Sequence, residues 1–214
     1  DKGVPLDRQV EKLKNVLFQA QLGSVYDKVV RVQALARFVA QQTGGGEDFC
    51  RQVERAAWLC KADLVSQMVG EFPKLQGVMG RVYAGEQGEP PPVAAAIEEH
   101  YRPTASGGAL PETAAGAVLA IADKLDTICG CFRAGLIPTG AADPYALRRQ
   151  GIGVVQIMRQ RDCRFRLAAV VDRSLGLFGA DGPAPADTAA KIMAFIEGRL
   201  ASILGEEGFA RDTV

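Results

Sequence analysis

Residues 114–149 read AAGAVLAIADKLDTICGCFRAGLIPTGAADPYALRR, and this stretch decides the fold. Val118, Ile121, Ala122, Leu125, Ile128, Cys129 and Phe132 recur at helical spacing and form a wide apolar stripe. Asp123 and Asp126 interrupt its edge three residues apart, so they are neighbours on the helix surface and repel unless a cation compensates them. Ile137-Pro138 and Thr139-Gly140 end that helix. Asp143 is then an apt N-cap, and Pro144 suits the first helical position because its missing N–H costs nothing there. Arg148 and Arg149 follow, and Arg148 is the expected internal partner of Asp123 or Asp126 across the helix pair.

Outward from this stretch the period stays helical. Helices are expected over residues 5–21 (Leu6, Val10, Leu13, Leu17 and Ala20 inward), from a Ser24 cap to 41, and from about 47. Phe72-Pro73 should kink the chain before a further helical run that includes Tyr83. Beyond it, helices are expected over 93–101, 144–160, 165–178 and 188–205, the last capped by Asp187. Convincing strands and 20–50-residue repeats are absent. The expectation is an all-α chain, divided into a helical domain over 1–160 and a smaller helical segment over 161–214.

The composition sets limits. A chain of 214 residues can bury about 70% of its extended surface. Its formal net charge is zero, which argues against binding nucleic acid by charge alone. No apolar run approaches the roughly 20 residues that span a bilayer, and no signal peptide is visible. The start at Asp1 without methionine reads as an excised piece of a longer protein. Five cysteines, an odd number without a CxxC pair, suggest reduced thiols and a cytoplasmic setting. Cys129 and Cys131 should point to different faces of their helix, so zinc binding by cysteines is not expected.

Between Arg148 and Arg173 the chain carries Arg148, Arg149, Arg159, Arg161, Arg164, Arg166 and Arg173, opposed only by Asp162 and Asp172. Such a segment can contact phosphates, or it can be a solvated face with internal ion pairs; both readings stand. Arg149, Arg159, Arg161, Arg164 and Arg166 are the candidate RNA-contacting residues. The lone histidine, His100, is expected to be a buried, hydrogen-bonded residue.

Two resemblances enter here. ADKLD at 122–126, with His100 and LCKAD at 59–63, resembles the helical metal-dependent phosphohydrolases named for a His-Asp doublet. Those enzymes hold a divalent metal, which positions a hydroxide at a phosphate ester, with a histidine, the doublet and a later aspartate. Asp123 matches the later aspartate. The doublet would fall within Cys60–Asp63, where no histidine occurs, so the resemblance implies a degenerate pocket. Its candidate residues are Asp63, Glu71, His100, Asp123, Asp126 and Arg148.

The second resemblance covers essentially the whole chain. VEKLKNVLFQAQLGSVYDKVVRV, KADLVSQMVGEFPKLQGVMGRVYA, AIEEHY, LPET, ADKLDT and GLIPTGAADPYALRR, in this order, closely resemble the β subunit of bacterial tetrameric glycyl-tRNA synthetase. The resemblance implies an α2β2 ligase that joins glycine to its tRNA with ATP. ATP and Mg would act on the α subunit and tRNA recognition would fall to β. It supplies no catalytic residue, metal or cofactor for this chain. It also implies that the piece is the degenerate His-Asp-type region, leading toward an anticodon-binding region. Three functions stay open: tRNA binding and scaffolding, a residual phosphohydrolase or nucleotide site, and a purely structural spacer.

Overall fold

The computed structural model describes residues 3–105, 107–161, 163–179 and 185–209. Ten helices occur among them: α1 (Leu6–Lys12), α2 (Val25–Gln42), α3 (Glu47–Leu59), α4 (Gln67–Glu71), α5 (Val78–Glu86), α6 (Pro91–Glu99), α7 (Ala114–Arg133), α8 (Leu147–Gln160), α9 (Leu167–Gly176) and α10 (Pro185–Glu206). The only sheet among the described residues is a short antiparallel hairpin, β1 (Leu17–Gln19) and β2 (Gly23–Ser24). The fold is all-α.

The centre is α7. Of its 20 residues, 17 are buried, so this helix is enclosed on all sides rather than one-faced. Thr113 caps it, its Oγ1 accepting from Gly116 N at 3.0 Å. Gly135, at φ 73°, ends it, with Leu136 N donating back to Cys131 O at 2.8 Å. Helices α2, α3, α6, α8, α9 and α10 all pack on α7. One apolar core runs through these layers from Leu6 on α1 to Ile196 on α10.

The expected helix over 5–21 is corrected. Its first two turns form and bury Leu6, Val10 and Leu13, and a 3-10 turn (Leu13–Asn15) follows. The chain then enters the hairpin, where Leu17 is 70% exposed. β-branched Val16 and aromatic Phe18, on either side of Leu17, suit an extended strand. The turn also leads into a strong start for α2: Ser24 Oγ accepts from Asp27 N at 3.2 Å while Ser24 N donates to Asp27 Oδ2 at 2.8 Å.

The start of α8 is corrected as well. Asp143 and Pro144 lie in a turn before the helix, whose N-cap is Ala146 in the left-handed region at φ 51°. Asp143 still satisfies the helix start: Oδ1 accepts from Leu147 N at 2.7 Å and Oδ2 from Arg148 N at 3.0 Å. α10 begins at Pro185, so Asp187 lies in its first turn rather than capping it.

All five cysteines are buried and none forms a disulfide, and burial pushes the Cys60 and Cys129 thiols up to about 12 and that of Cys131 to about 11. Among the described residues no helix is long and apolar enough to cross a membrane.

Candidate functional site

The two α7 carboxylates meet basic groups, but not the expected one. On the buried face of α2, Lys28 and Arg31 stand among Val25, Val29 and Val32. Arg31 Nε donates to Asp126 Oδ1 at 2.8 Å, and Lys28 Nζ donates to Asp126 Oδ2 at 3.2 Å and to Thr127 Oγ1 at 2.8 Å. The Arg31 guanidinium also stacks over Phe178 at 4.2 Å and donates to Leu22 O. Asp126 is 1% exposed, so these bonds replace nearly all of its water.

Asp123 lies one turn earlier, 13% exposed. Its Oδ1 is 3.1 Å from Lys28 Nζ and its Oδ2 accepts from Lys61 Nζ at 3.2 Å. Burial raises its pKa, but Lys28 and Lys61 outweigh burial and hold the carboxyl well below the usual carboxylate range. Lys61 follows α3 and is buried. Its ammonium also donates to His100 Nε2 at 2.7 Å and lies 4.1 Å from the centre of the Tyr101 ring.

His100 is fully buried at the end of α6. Its Nδ1 is 2.6 Å from Ile97 O, and a carbonyl only accepts, so the ring proton belongs on Nδ1 and Nε2 is the acceptor. Burial, with the Lys61 charge beside it, holds His100 well below its ordinary pKa, and the ring stays neutral. Lys124 completes the cluster, donating to His100 O at 3.1 Å and Arg102 O at 2.9 Å. Burial lowers its pKa to about 8. The glycine at 153 makes room for that side chain: a Cβ there would stand 3.0 Å from Lys124 Cε.

Above the cluster opens a cavity of about 590 Å³, floored by Lys28, Lys61, His100, Asp123 and Lys124. Its rim includes Lys74, Thr104, Tyr145 and Arg149.

Of the proposed pocket residues, then, His100, Asp123 and Asp126 come together. Asp63 serves a different purpose: fully buried, its Oδ2 accepts from Gly77 N at 2.6 Å and Gly80 N at 3.0 Å, which caps the start of α5. Burial raises its pKa. Glu71 is exposed at the end of α4 and does not line the cavity. The expected pairing of Arg148 with Asp123 or Asp126 is corrected: Arg148 turns outward and donates to Gly140 O at 2.8 Å. The late start of α8 sets Arg148 N on Asp143, and it is Arg149 that reaches the cavity rim.

Lys28, Arg31, Lys61 and Lys124 carry the site, and none of them is among the residues that sequence reasoning singles out. The signal for Lys28 and Arg31 lies in YDKVVRV, where two cations share an apolar helix face with the valines and so have to meet buried acids.

Among the arginines, Arg149, Arg159, Arg161, Arg164 and Arg166 are all exposed. Arg159 is held by Glu207 through two bonds of 2.9 and 2.8 Å. Arg161, Arg164 and Arg166 surround the turn between α8 and α9.

A divalent metal of the phosphohydrolase type does not fit these residues. Among the described residues no group of three His, Cys, Asp or Glu side chains could hold one. The point between His100 Nε2 and Asp123 Oδ2 is taken by the Lys61 ammonium. With both ring nitrogens of His100 engaged and Asp123 facing two ammonium groups, the cluster is arranged to fix charge rather than to pass protons.

Fold and site together define an all-α module built around a buried ion network beneath a basic-rimmed cavity. Over residues 1–214 the chain matches the family described as glycyl-tRNA synthetase beta subunit, and it belongs to that family. It is 53% identical over 209 residues to the glycine–tRNA ligase beta subunit of Desulforapulum autotrophicum, covering 98% of this chain and 30% of that protein. With the corresponding subunit of Geobacter sulfurreducens the identity is 50% over 207 residues, 96% of this chain and 30% of the relative. The chain thus spans about 30% of the length of these curated relatives.

Proposed function

We propose that this chain is the part of a glycine–tRNA ligase β subunit that contacts tRNA and scaffolds its neighbours, without adenylate chemistry of its own. The observation that carries this reading is the match over the whole of residues 1–214 to the family, at about half identity to subunits so named. The partners are the α subunit of an α2β2 assembly and glycine tRNA. ATP and Mg act on the α subunit, and the assembly works in the cytoplasm.

The charge distribution supports the division of labour. The buried cations are committed to carboxylates and carbonyls, whereas Arg149, Arg161, Arg164 and Arg166 are exposed. Arginines at the surface can reach phosphates without breaking the buried network.

The test is tRNA binding by the complete assembly across a salt series, with Arg161, Arg164 and Arg166 changed together to glutamine. Every phosphate interaction removed in this way should lower the log–log salt slope by somewhat less than about one unit. An unchanged slope would make the segment scaffold alone. ATP–pyrophosphate exchange by this chain, free of α subunit, would overturn the claim that adenylate chemistry lies elsewhere.

A further inference from the structure

We propose that the Lys61 ammonium is a built-in cation occupying a seat of metal-site type, and that replacing Lys61 by a third ligand converts the seat into a divalent-metal site. Three separate pieces of the chain converge on Nζ: the turn after α3 brings Lys61, the end of α6 brings His100, and α7 brings Asp123. The imidazole presents a bare Nε2 lone pair because its Nδ1–H is fixed on Ile97 O. That is how imidazoles are held when they ligate metals, with the second nitrogen anchored to a carbonyl or carboxylate. The carboxylate is likewise braced from behind, Lys28 Nζ lying 3.1 Å from Asp123 Oδ1.

The occupant matches an ammonium. The two approaches, 2.7 and 3.2 Å, are hydrogen-bond lengths, longer than the roughly 2.0–2.2 Å of metal–nitrogen and metal–oxygen bonds. Lys61 is 8% exposed and Asp123 13%, so little of either side chain meets the cavity above them. Without the amine, a nitrogen lone pair and Asp123 Oδ2 would face each other there, with Lys28 compensating the carboxylate only from its other oxygen. An imidazole lone pair and a carboxylate oxygen both aim at that point, and the chain fills it covalently with a cation. The pocket needs no metal to hold its shape, and metal-generated hydroxide has no place in it.

The test uses the full-length protein in its natural assembly. Three variants are compared with the parent: Lys61→Ala opens the seat, Lys61→Met fills it without charge, and Lys61→His adds a third ligand beside His100 and Asp123. The probes are Co²⁺ and ethylammonium chloride, with sodium chloride at equal ionic strength as control. The parent should show no Co²⁺ visible absorption and a melting temperature indifferent to either probe. Lys61→Ala should melt lower and recover with ethylammonium but not with sodium chloride, and Lys61→Met should not recover. Lys61→His should develop a Co²⁺ band and a melting temperature that climbs with Co²⁺ concentration, as linkage requires. Both gains should vanish when Asp123→Asn is added. If Lys61→His is recovered folded only when Co²⁺ is present during purification, that also supports the seat. Failure of Lys61→His to gain Co²⁺ binding overturns the proposal, whether it folds or stays insoluble with the metal present. A parent protein that binds Co²⁺ through His100 and Asp123 overturns it equally. None of these readouts involves tRNA, so the outcome is independent of the ligase reading.

Discussion

Arg31 and Arg161 carry the same guanidinium and do opposite things. Arg31 lies against Asp126, Leu22 O and the Phe178 ring, inside the protein. Arg161 ends α8 in the solvent. The difference lies in which helix face each occupies and what that face meets. Arg31 shares its face with valines that must be buried against α7, so the guanidinium is carried inward with them. Removing a buried partner leaves a stranded charge, while removing an exposed one leaves a solvated residue.

The largest expected effect follows from the buried side of that contrast. Asp126→Ala strands Arg31 and leaves Lys28 with Asp123 as its one carboxylate, and should cost about 3–5 kcal/mol in denaturant melts. A loss under about 1 kcal/mol would mean that the interior cations are solvated or compensated in another way.

Next is an acid dependence. Below about pH 6.5 the unfolded chain takes a proton on His100 that the folded chain refuses until much lower pH. Stability should therefore fall on acidification below pH 6.5, with a limiting slope of about 1.4 kcal/mol per pH unit from this group. Asp123 adds a second loss in the same direction below about pH 3.8, where the unfolded carboxyl protonates and the folded one does not. Replacing His100 by Gln should flatten the first limb whatever it does to absolute stability; an unchanged limb would contradict the assignment.

The smallest effects belong to the surface. Arg148→Ala removes one exposed bond to Gly140 O, and Arg161 and Arg166 to Gln remove none of the buried network. Each should move stability by no more than about 0.5 kcal/mol. A shift several times larger at Arg161 or Arg166 would join them to the interior class.

Much of the fold is legible locally. The α7 stripe, the Ser24 start of α2 and the break at Phe72-Pro73 each depend on residues close together in the chain, although α7 ends at Arg133, ahead of the expected break at Ile137-Pro138. Where local signals compete, periodicity misleads: residues 13–21 keep a helical period by count, yet Val16-Leu17-Phe18 and a glycine turn favour the hairpin. The site is half legible. Paired acids on an apolar stripe announce a need for cations, and His100 is the hydrogen-bonded interior residue that a lone histidine near apolar helices suggests. The supplier of charge is not legible, because proximity in sequence is no guide to proximity in space. Arg148 is near the acids along the chain, but Lys28 and Arg31 reach Asp126 across 98 and 95 residues. Only the packing of α2 on α7 decides that pairing.

The central claim is that the α7 carboxylates answer to α2 and the turn after α3, not to α8. Two double-mutant cycles measured together by denaturant unfolding test it most directly: Lys28→Met with Asp126→Asn, and Arg148→Ala with Asp126→Asn. The first pair shares a buried bond and should couple by about 1–3 kcal/mol, while the second should be additive to within about 0.5 kcal/mol. Additivity between 28 and 126, with coupling between 148 and 126, would contradict the account.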